Sequence, residues 1–267
     1  MTTMMIGALK DACREVHART RGIAGTARGN RQTGRRGAGG DVSRRIDLLA
    51  EKTVIEVLKK RGIGATIIGE ECGRIEGKEK KGFVVMDAID GTTNASRQLP
   101  FYCCSLAYAD EFRLGAVKDA AIINLVNGDL YYASKGKGAF CNGKRIRVRE
   151  AGDDVVIGMN VSGINDRTIK RLAPVMSKAN HVRQLGSLAM ELCHLAKGSL
   201  DASIDFRGKV RPVDIAAACL IVREAGGQVY SDKGVELDCE LGVETRMSFV
   251  ATAHEKVFRD LSADLFG

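Results

Sequence analysis

The chain has 267 residues, with 41 Lys and Arg against 33 Asp and Glu, for a formal net charge of +8. Apolar residues make up 45% and charged residues 28%, with three Pro and no Trp. That excludes disordered, collagenous and coiled-coil chains and leaves one large globular domain or two small ones.

Met5, Ile6, Leu9, Ala12, Cys13 and Val16 recur at helical spacing and predict a first helix ending near Gly22. A Gly/Arg-rich stretch follows, expected as a loop. Residues 19–45 hold eight Arg, no Lys and one acid, Asp41, so this segment carries +7 and the other 240 residues carry +1. The basic excess is therefore one segment and not a basic fold. Such a segment is a solvated connector or an anion-binding loop. A helix is predicted over 45–61, a buried strand over 66–68, and a second buried strand over 83–86 that ends at Asp87.

From Cys103 the pattern turns to β. Strands over 105–109, 115–123, 129–133 and 144–148 are separated by hairpin signals at Asn127-Gly128, Gly136–Gly138 and Asn142-Gly143. Strands and helices then alternate: strands over 155–161, 181–184, 200–206, 228–230 and 248–251, helices over 166–179, 187–197 and 214–225, and a closing helix. This order argues for layered sheets and helices in one α/β or α+β chain. No apolar run approaches the ~18 residues of a membrane span. Residues 1–11 lack a signal-peptide core, so a cytoplasmic protein is expected. The eight Cys form no C-x-x-C pair and sit mostly in apolar runs, which predicts reduced, structural thiols, and the four His show no zinc spacing.

Three acidic clusters fall at element ends: Gly69-Glu70-Glu71, the run from Asp87 to Asn94, and Asp214 ahead of Glu224-Ala225-Gly226-Gly227. Asp87 ends a strand and Asp90 lies three residues on, past an expected sharp turn. Two carboxylates that close repel unless a cation lies between them. An all-oxygen set suits Mg²⁺, which binds a few carboxylates, waters and substrate phosphate. Gly91-Thr92-Thr93 follows at once, where a tight turn can present backbone amides to an anion. Metal and phosphate sites a few residues apart imply metal-assisted phosphoryl chemistry.

The run Asp87-Ala88-Ile89-Asp90-Gly91-Thr92-Thr93-Asn94 resembles the D-P-I-D-G-T-x-N signature of the inositol monophosphatase family. Gly69-Glu70-Glu71 is similar to its G-E-E, and Asp214-Ile215-Ala216-Ala217 with Glu224-Ala225-Gly226-Gly227 to its W-D-x-A-A and E-A-G-G segments. The likeness covers nearly all of the chain from about Asp41 onward. Arg45-Ile46-Asp47 through Glu51, Arg183 through Ser187, and Asp205-Phe206-Arg207-Gly208-Lys209 look most like the archaeal-type enzymes acting on fructose 1,6-bisphosphate and inositol monophosphate.

The resemblance implies a layered α-β-α-β-α sandwich of the sugar phosphatase type, usually a homodimer. The chain would be a single catalytic unit, with helices and a meander carrying most metal ligands in 1–150 and a β/α substrate-side half in 151–267. Glu70, Asp87, Asp90 and Asp214, with the Ile89 carbonyl, would ligate two or three Mg²⁺, Mn²⁺ being an alternative. Thr92 with Glu70 would orient the attacking water, and Asp47 would assist near a weaker metal. Gly91, Thr92 and Thr93 would hold the phosphate. Arg183, Gly186, Ser187, Asp205 and Arg207 would contact a phosphorylated sugar or polyol, with Arg207 and Lys209 or Arg211 on a remote phosphate.

Three departures stand out. Ala88 replaces Pro, Val213 replaces Trp, and Gly39 stands where relatives carry an acid, a role Asp41 could take over. The nearest rival is a 3′(2′),5′-bisphosphate nucleotide phosphatase, which the scarcity of aromatics disfavours. A rival of another class is an RNA- or partner-binding protein using residues 19–45, disfavoured because all four strong metal ligands are present.

Overall fold

Leu9, Ala12, Cys13 and Val16 are fully buried and form the inner stripe of α1 (Thr2–Thr20). The computed structural model describes residues 2–40, 42–78, 82–150 and 152–266, so Asp41 lies outside the described residues. The Gly/Arg stretch is not the loop its composition predicts. It folds as a single turn, α2 (Ala27–Asn30), and a two-stranded hairpin, β1 (Gln32–Arg36) with β2 (Val42–Arg44). The Thr26 hydroxyl caps α2 by accepting Gly29 N at 3.2 Å, and Thr33 Oγ1 donates across the hairpin to the Ser43 carbonyl at 3.0 Å. All five residues of β1 are exposed, so no apolar alternation marks the strand in the sequence.

The remaining elements follow the expected order: α3 (Arg45–Lys60), β3 (Thr66–Gly69), β4 (Gly73–Ile75), β5 (Phe83–Asp90), α4 (Thr92–Arg97) and β6 (Cys103–Ala109). The meander continues through β7 (Val117–Asn124), β8 (Leu130–Ser134), β9 (Ala139–Cys141) and β10 (Lys144–Ile146). The second half comprises β11 (Val156–Asn160), α5 (Asp166–Lys178), β12 (His181–Arg183), α6 (Leu188–Ala196), β13 (Ala202–Val210), α7 (Pro212–Glu224), β14 (Gln228–Ser231), β15 (Met247–Thr252) and α8 (Glu255–Phe266). The three-residue strands β4 and β9 are absent from the expectation because each is too short for a period-2 pattern to register.

An eight-stranded sheet runs β10-β9-β8-β7-β6-β5-β3-β4, and a five-stranded one runs β12-β11-β13-β15-β14. Helices α1 and α3 cover the outer face of the first sheet through Leu9, Val54, Leu58, Met86 and Leu106. Between the sheets lie α6 and α7, whose Leu192, Ile215, Ile221 and Val222 face Val85, Ile122 and Phe249. Helices α5 and α8 close the far side on Ile157, Ile204 and Val250. The result is the α-β-α-β-α layering expected, with α7 apolar all round because it has a sheet on either side. Each fully buried Leu, Ile or Phe contributes roughly 1.5–3 kcal/mol of transfer free energy to that stack. No helix among the described residues is long and apolar enough to cross a membrane.

Two strand irregularities matter most. Strand β5 does not end at Asp87 but continues to Asp90, with Asp87 opposite Ser105 and Asp90 opposite Cys103. Three steps on β5 match two on β6, which is a bulge of one extra residue. Residues three apart on a regular strand face opposite sides, and the extra residue restores both aspartates to one side. Strand β13 likewise runs past the expected Phe206 to Val210, with a register shift against β15 between Asp205 and Val210. That shift lifts Arg207, Gly208 and Lys209 out of the ladder.

Candidate active site

Both bulges open onto one cleft of about 450 Å³ lined by Gly39, Glu70, Asp87, Asp90, Thr92 and Asp214 and by the cations Arg207, Lys209, Arg211 and Arg246. Carboxylate oxygens of Glu70, Asp87 and Asp214 lie within 4.8 Å of one another, the one such group among the described residues. A larger and more apolar depression of about 610 Å³, lined by Met5, Ile63 and Tyr108, gathers no comparable group and lies away from this chemistry.

Local structure explains how each carboxylate is held. Glu70 follows β3 directly, where the hairpin tip docks through Gly39 N donating to the Glu70 carbonyl at 2.8 Å. Asp47 and Asp214 are both third residues of helices, α3 and α7. Each accepts a backbone N–H from the residue before its helix, Asp47 from Arg44 at 2.9 Å and Asp214 from Arg211 at 2.8 Å. A helix N-terminus is a favourable place for negative charge. Asp90 accepts from Ser187 Oγ at 2.6 Å and Ala189 N at 2.7 Å, both on Oδ2, which leaves Oδ1 for the cleft. Gly91, with φ 93°, makes the left-handed turn into α4 that a side chain would strain.

The electrostatics are those of crowded, buried acids. Burial, opposed by Arg211 and aided by Asp214, pushes the Glu70 carboxyl up to about 7. Burial, then Glu70 and Asp90, hold Asp87 well above the usual carboxylate range. Burial raises Asp90 to about 6, moderated by the Ser187 hydroxyl, and raises Asp47 to about 6. Carboxylates forced together in this way favour a proton or a cation. The donor set is all oxygen, converging and largely buried, and it fits a hard divalent ion.

Thr92 Oγ1 lies 3.1 Å from the Ile89 carbonyl and 3.3 Å from Asp47 Oδ1, so its hydroxyl partners Asp47 and not Glu70. Asp47, Glu51, Glu71 and Thr92 line a narrow recess that continues from Glu70 and Asp87. Gly91, Thr93 and Gly186 line the cleft, whereas Ser187 is buried and acts through Asp90. Asp205 is fully buried and holds the Arg207 guanidinium. Arg183, like Ser187 and Asp205, does not line the cleft. It ends the edge strand β12, is exposed, and its Nη1 donates to the Val182 carbonyl.

Asn160 and Arg246 line the cleft without any sequence signal, since each is a lone polar residue outside the motifs. Glu191 lies beneath it, fully buried, with Ser203 Oγ donating to Oε1 at 2.5 Å. Burial pushes its carboxyl from 4.5 up to about 7. The folded protein therefore binds this proton more tightly than the unfolded chain does. The stability it supports is complete below pH 4.5 and declines as pH rises towards 7, by up to about 1.4 kcal/mol per pH unit. Glu191→Gln should remove that slope, read as the difference between denaturant midpoints of parent and variant at pH 5 and 7.5. An identical slope in both would refute the assignment.

The model of the inositol monophosphatase family matches residues 3–262. A fructose-1,6-bisphosphatase/inositol-1-monophosphatase of Methanothermobacter thermautotrophicus is 40% identical over 84% of this chain and 85% of its own. A bifunctional NADP phosphatase/NAD kinase of Methanococcus maripaludis is 34% identical over 81% of this chain and 41% of its own. The crystal structure of an inositol monophosphatase-fructose 1,6-bisphosphatase superposes with a TM-score of 0.85 at 28% identity, covering 98% of both chains.

Proposed function

The chain belongs to the inositol monophosphatase family of phosphatases, and on that premise we propose that it is a magnesium-dependent hydrolase of fructose 1,6-bisphosphate and inositol 1-phosphate. One observation carries the reading: Glu70, Asp87 and Asp214 converge in a cleft that Arg207, Lys209 and Arg246 also line. Carboxylates suit the metal and cations suit a phosphorylated substrate.

Glu70, Asp87, Asp90, Asp214 and the Ile89 carbonyl would hold two or three Mg²⁺, with Mn²⁺ able to substitute. A divalent ion held there would lower the pKa of a bound water and offset charge on the phosphoryl oxygens. Asp47 accepts from the Thr92 hydroxyl and fixes its orientation, so Thr92 and Glu70 together can align the attacking water. Gly91, Thr92 and Thr93 hold the phosphate being removed. Arg207 and Lys209 bind the remote phosphate of a bisphosphate. Because Glu70 and Asp87 come from the first half and Asp214 from the second, the chain acts as one catalytic unit. It works as a cytoplasmic homodimer.

Phosphate release with Mg²⁺ tests this on fructose 1,6-bisphosphate, inositol 1-phosphate, 3′-phosphoadenosine 5′-phosphate and NADP. The first two should be turned over at least about tenfold more efficiently than the nucleotides, because no aromatic ring among the described residues lines the cleft to stack an adenine. Preference for a nucleotide would move the substrate class, and no release from any of the four would overturn the proposal.

A further inference from the structure

Arg211 places a guanidinium on the carboxylate trio itself. Its Nη1 lies 2.7 Å from Glu70 Oε1 and its Nη2 2.8 Å from Asp214 Oδ1, with Nε 3.1 Å from the same oxygen. Glu70 and Asp214 are two of the three residues whose oxygens come within 4.8 Å. An arginine fork on Glu70 Oε1 and Asp214 Oδ1 competes with a divalent ion for the trio, since it takes lone pairs there and sets a second positive charge beside the ion.

The hairpin supplies a second, independent observation. A Cβ built on Gly39 would overlap Arg211 Nη1 and stand 3.1 Å from Glu70 Cγ. The missing side chain at 39 is thus what admits the guanidinium to the trio. Arg211 precedes Pro212, which opens α7, so its backbone is fixed by the helix start. Only the flexible side chain has to move for Arg211 to leave, and it already lines the cleft it would enter.

We propose that Arg211 is an internal counter-ion of the metal centre, which bridges Glu70 and Asp214 until an ion enters and is then displaced into the cleft. The proposal rests on the reading of the trio as a metal site. Buried carboxylates this close destabilise one another, and a guanidinium between them stabilises the fold before metal arrives. The same contact opposes metal binding, because the guanidinium occupies part of the donor set and repels the incoming ion. Losing the guanidinium therefore has two effects of opposite sign: the metal-free protein becomes less stable, and the metal binds more tightly. An arginine with a purely structural role would show the first effect and a weaker metal site.

Calorimetric titration of chelator-stripped protein with Mn²⁺, without substrate, tests this, together with melting curves in chelator. Arg211→Gln should bind Mn²⁺ about tenfold more tightly than the parent and melt at a lower temperature. Gly39→Ala removes no charge and presses chiefly on the far end of Arg211, with the Glu70 Cγ at 3.1 Å yielding slightly, and it should shift both readings in the same directions. Arg211→Lys, which keeps the charge and loses the fork, should fall between. Should Arg211→Gln not fold, Gly39→Ala carries the test alone. Mn²⁺ affinity unchanged or weaker in the folded variants would overturn the inference while leaving the metal site intact. A parent that binds no Mn²⁺ would instead overturn the metal-site reading, and this one with it.

Discussion

Asp90→Asn should abolish phosphate release, by on the order of 10³-fold in kcat, and leave the metal-free protein at least as stable as before. Asn keeps the shape, and its carbonyl oxygen can still accept from Ser187 Oγ and Ala189 N, which approach Oδ2 at 2.6 and 2.7 Å. What disappears is a negative charge in a buried group of like charges. Burial, with Asp214 adding to it, raises the Asp90 carboxyl to about 6. Removing that charge relieves repulsion while it removes a proposed donor for the ion. The two readouts therefore separate, as expected where function keeps a site electrostatically strained. Turnover with Mg²⁺, checked against melting in chelator, measures both. Turnover within about tenfold of the parent would place the metal centre elsewhere, and full turnover of the parent in chelator would overturn the metal-dependent reading itself.

The carboxylates of this centre were legible because their positions are local in sequence. Asp87, Asp90 and Gly91 lie within five residues, and Glu70 and Asp214 each sit at the end of a readable element. How those residues come to face one another was not legible. The expected turn after Asp87 is a bulge, and a bulge depends on register with a partner strand, which no single strand encodes. The hairpin of residues 32–44 was missed for a different reason. Strand β1 is exposed throughout and β2 buries only the polar Ser43, so the hairpin is held by its docking on Glu70 and Glu71 rather than by an apolar face. That docking changes the meaning of the charge at residues 19–45. The segment is part of the wall of the cleft, with Gly39 inside it, and not a free basic arm.

Arg211 and Gly39 show the same limit from the other side. Gly39 reads in the sequence as a missing acid, a loss at a weaker metal position. In the fold it is the space a guanidinium occupies, 172 residues away along the chain by subtraction of the two numbers. Long-range steric permission of that kind leaves no local pattern, whereas capping, turn and strand signals do.

Arg207→Ala should raise KM for fructose 1,6-bisphosphate on the order of 10²-fold and move KM for inositol 1-phosphate by less than about threefold. The arginine sits in the β13 irregularity, with Nε 3.0 Å and Nη2 2.5 Å from Asp205 Oδ2. Pairing with Asp205 and serving the substrate are two distinct roles for Arg207. In the structure they are compatible, because Asp205 takes Nε and Nη2 and fixes the plane of the guanidinium. Nη1 then has no hydrogen-bond partner among the described residues and belongs to a side chain that lines the cleft. Truncation also leaves Asp205, fully buried, without its counter-charge, a loss of about 3–5 kcal/mol in stability. Asp205→Asn in the same chain removes that orphan charge. The double variant should recover most of the melting temperature and none of the KM for the bisphosphate. Recovery of both would make Arg207 a partner of Asp205 alone, and equal KM changes for the two substrates would assign the remote phosphate to Lys209 or Arg246.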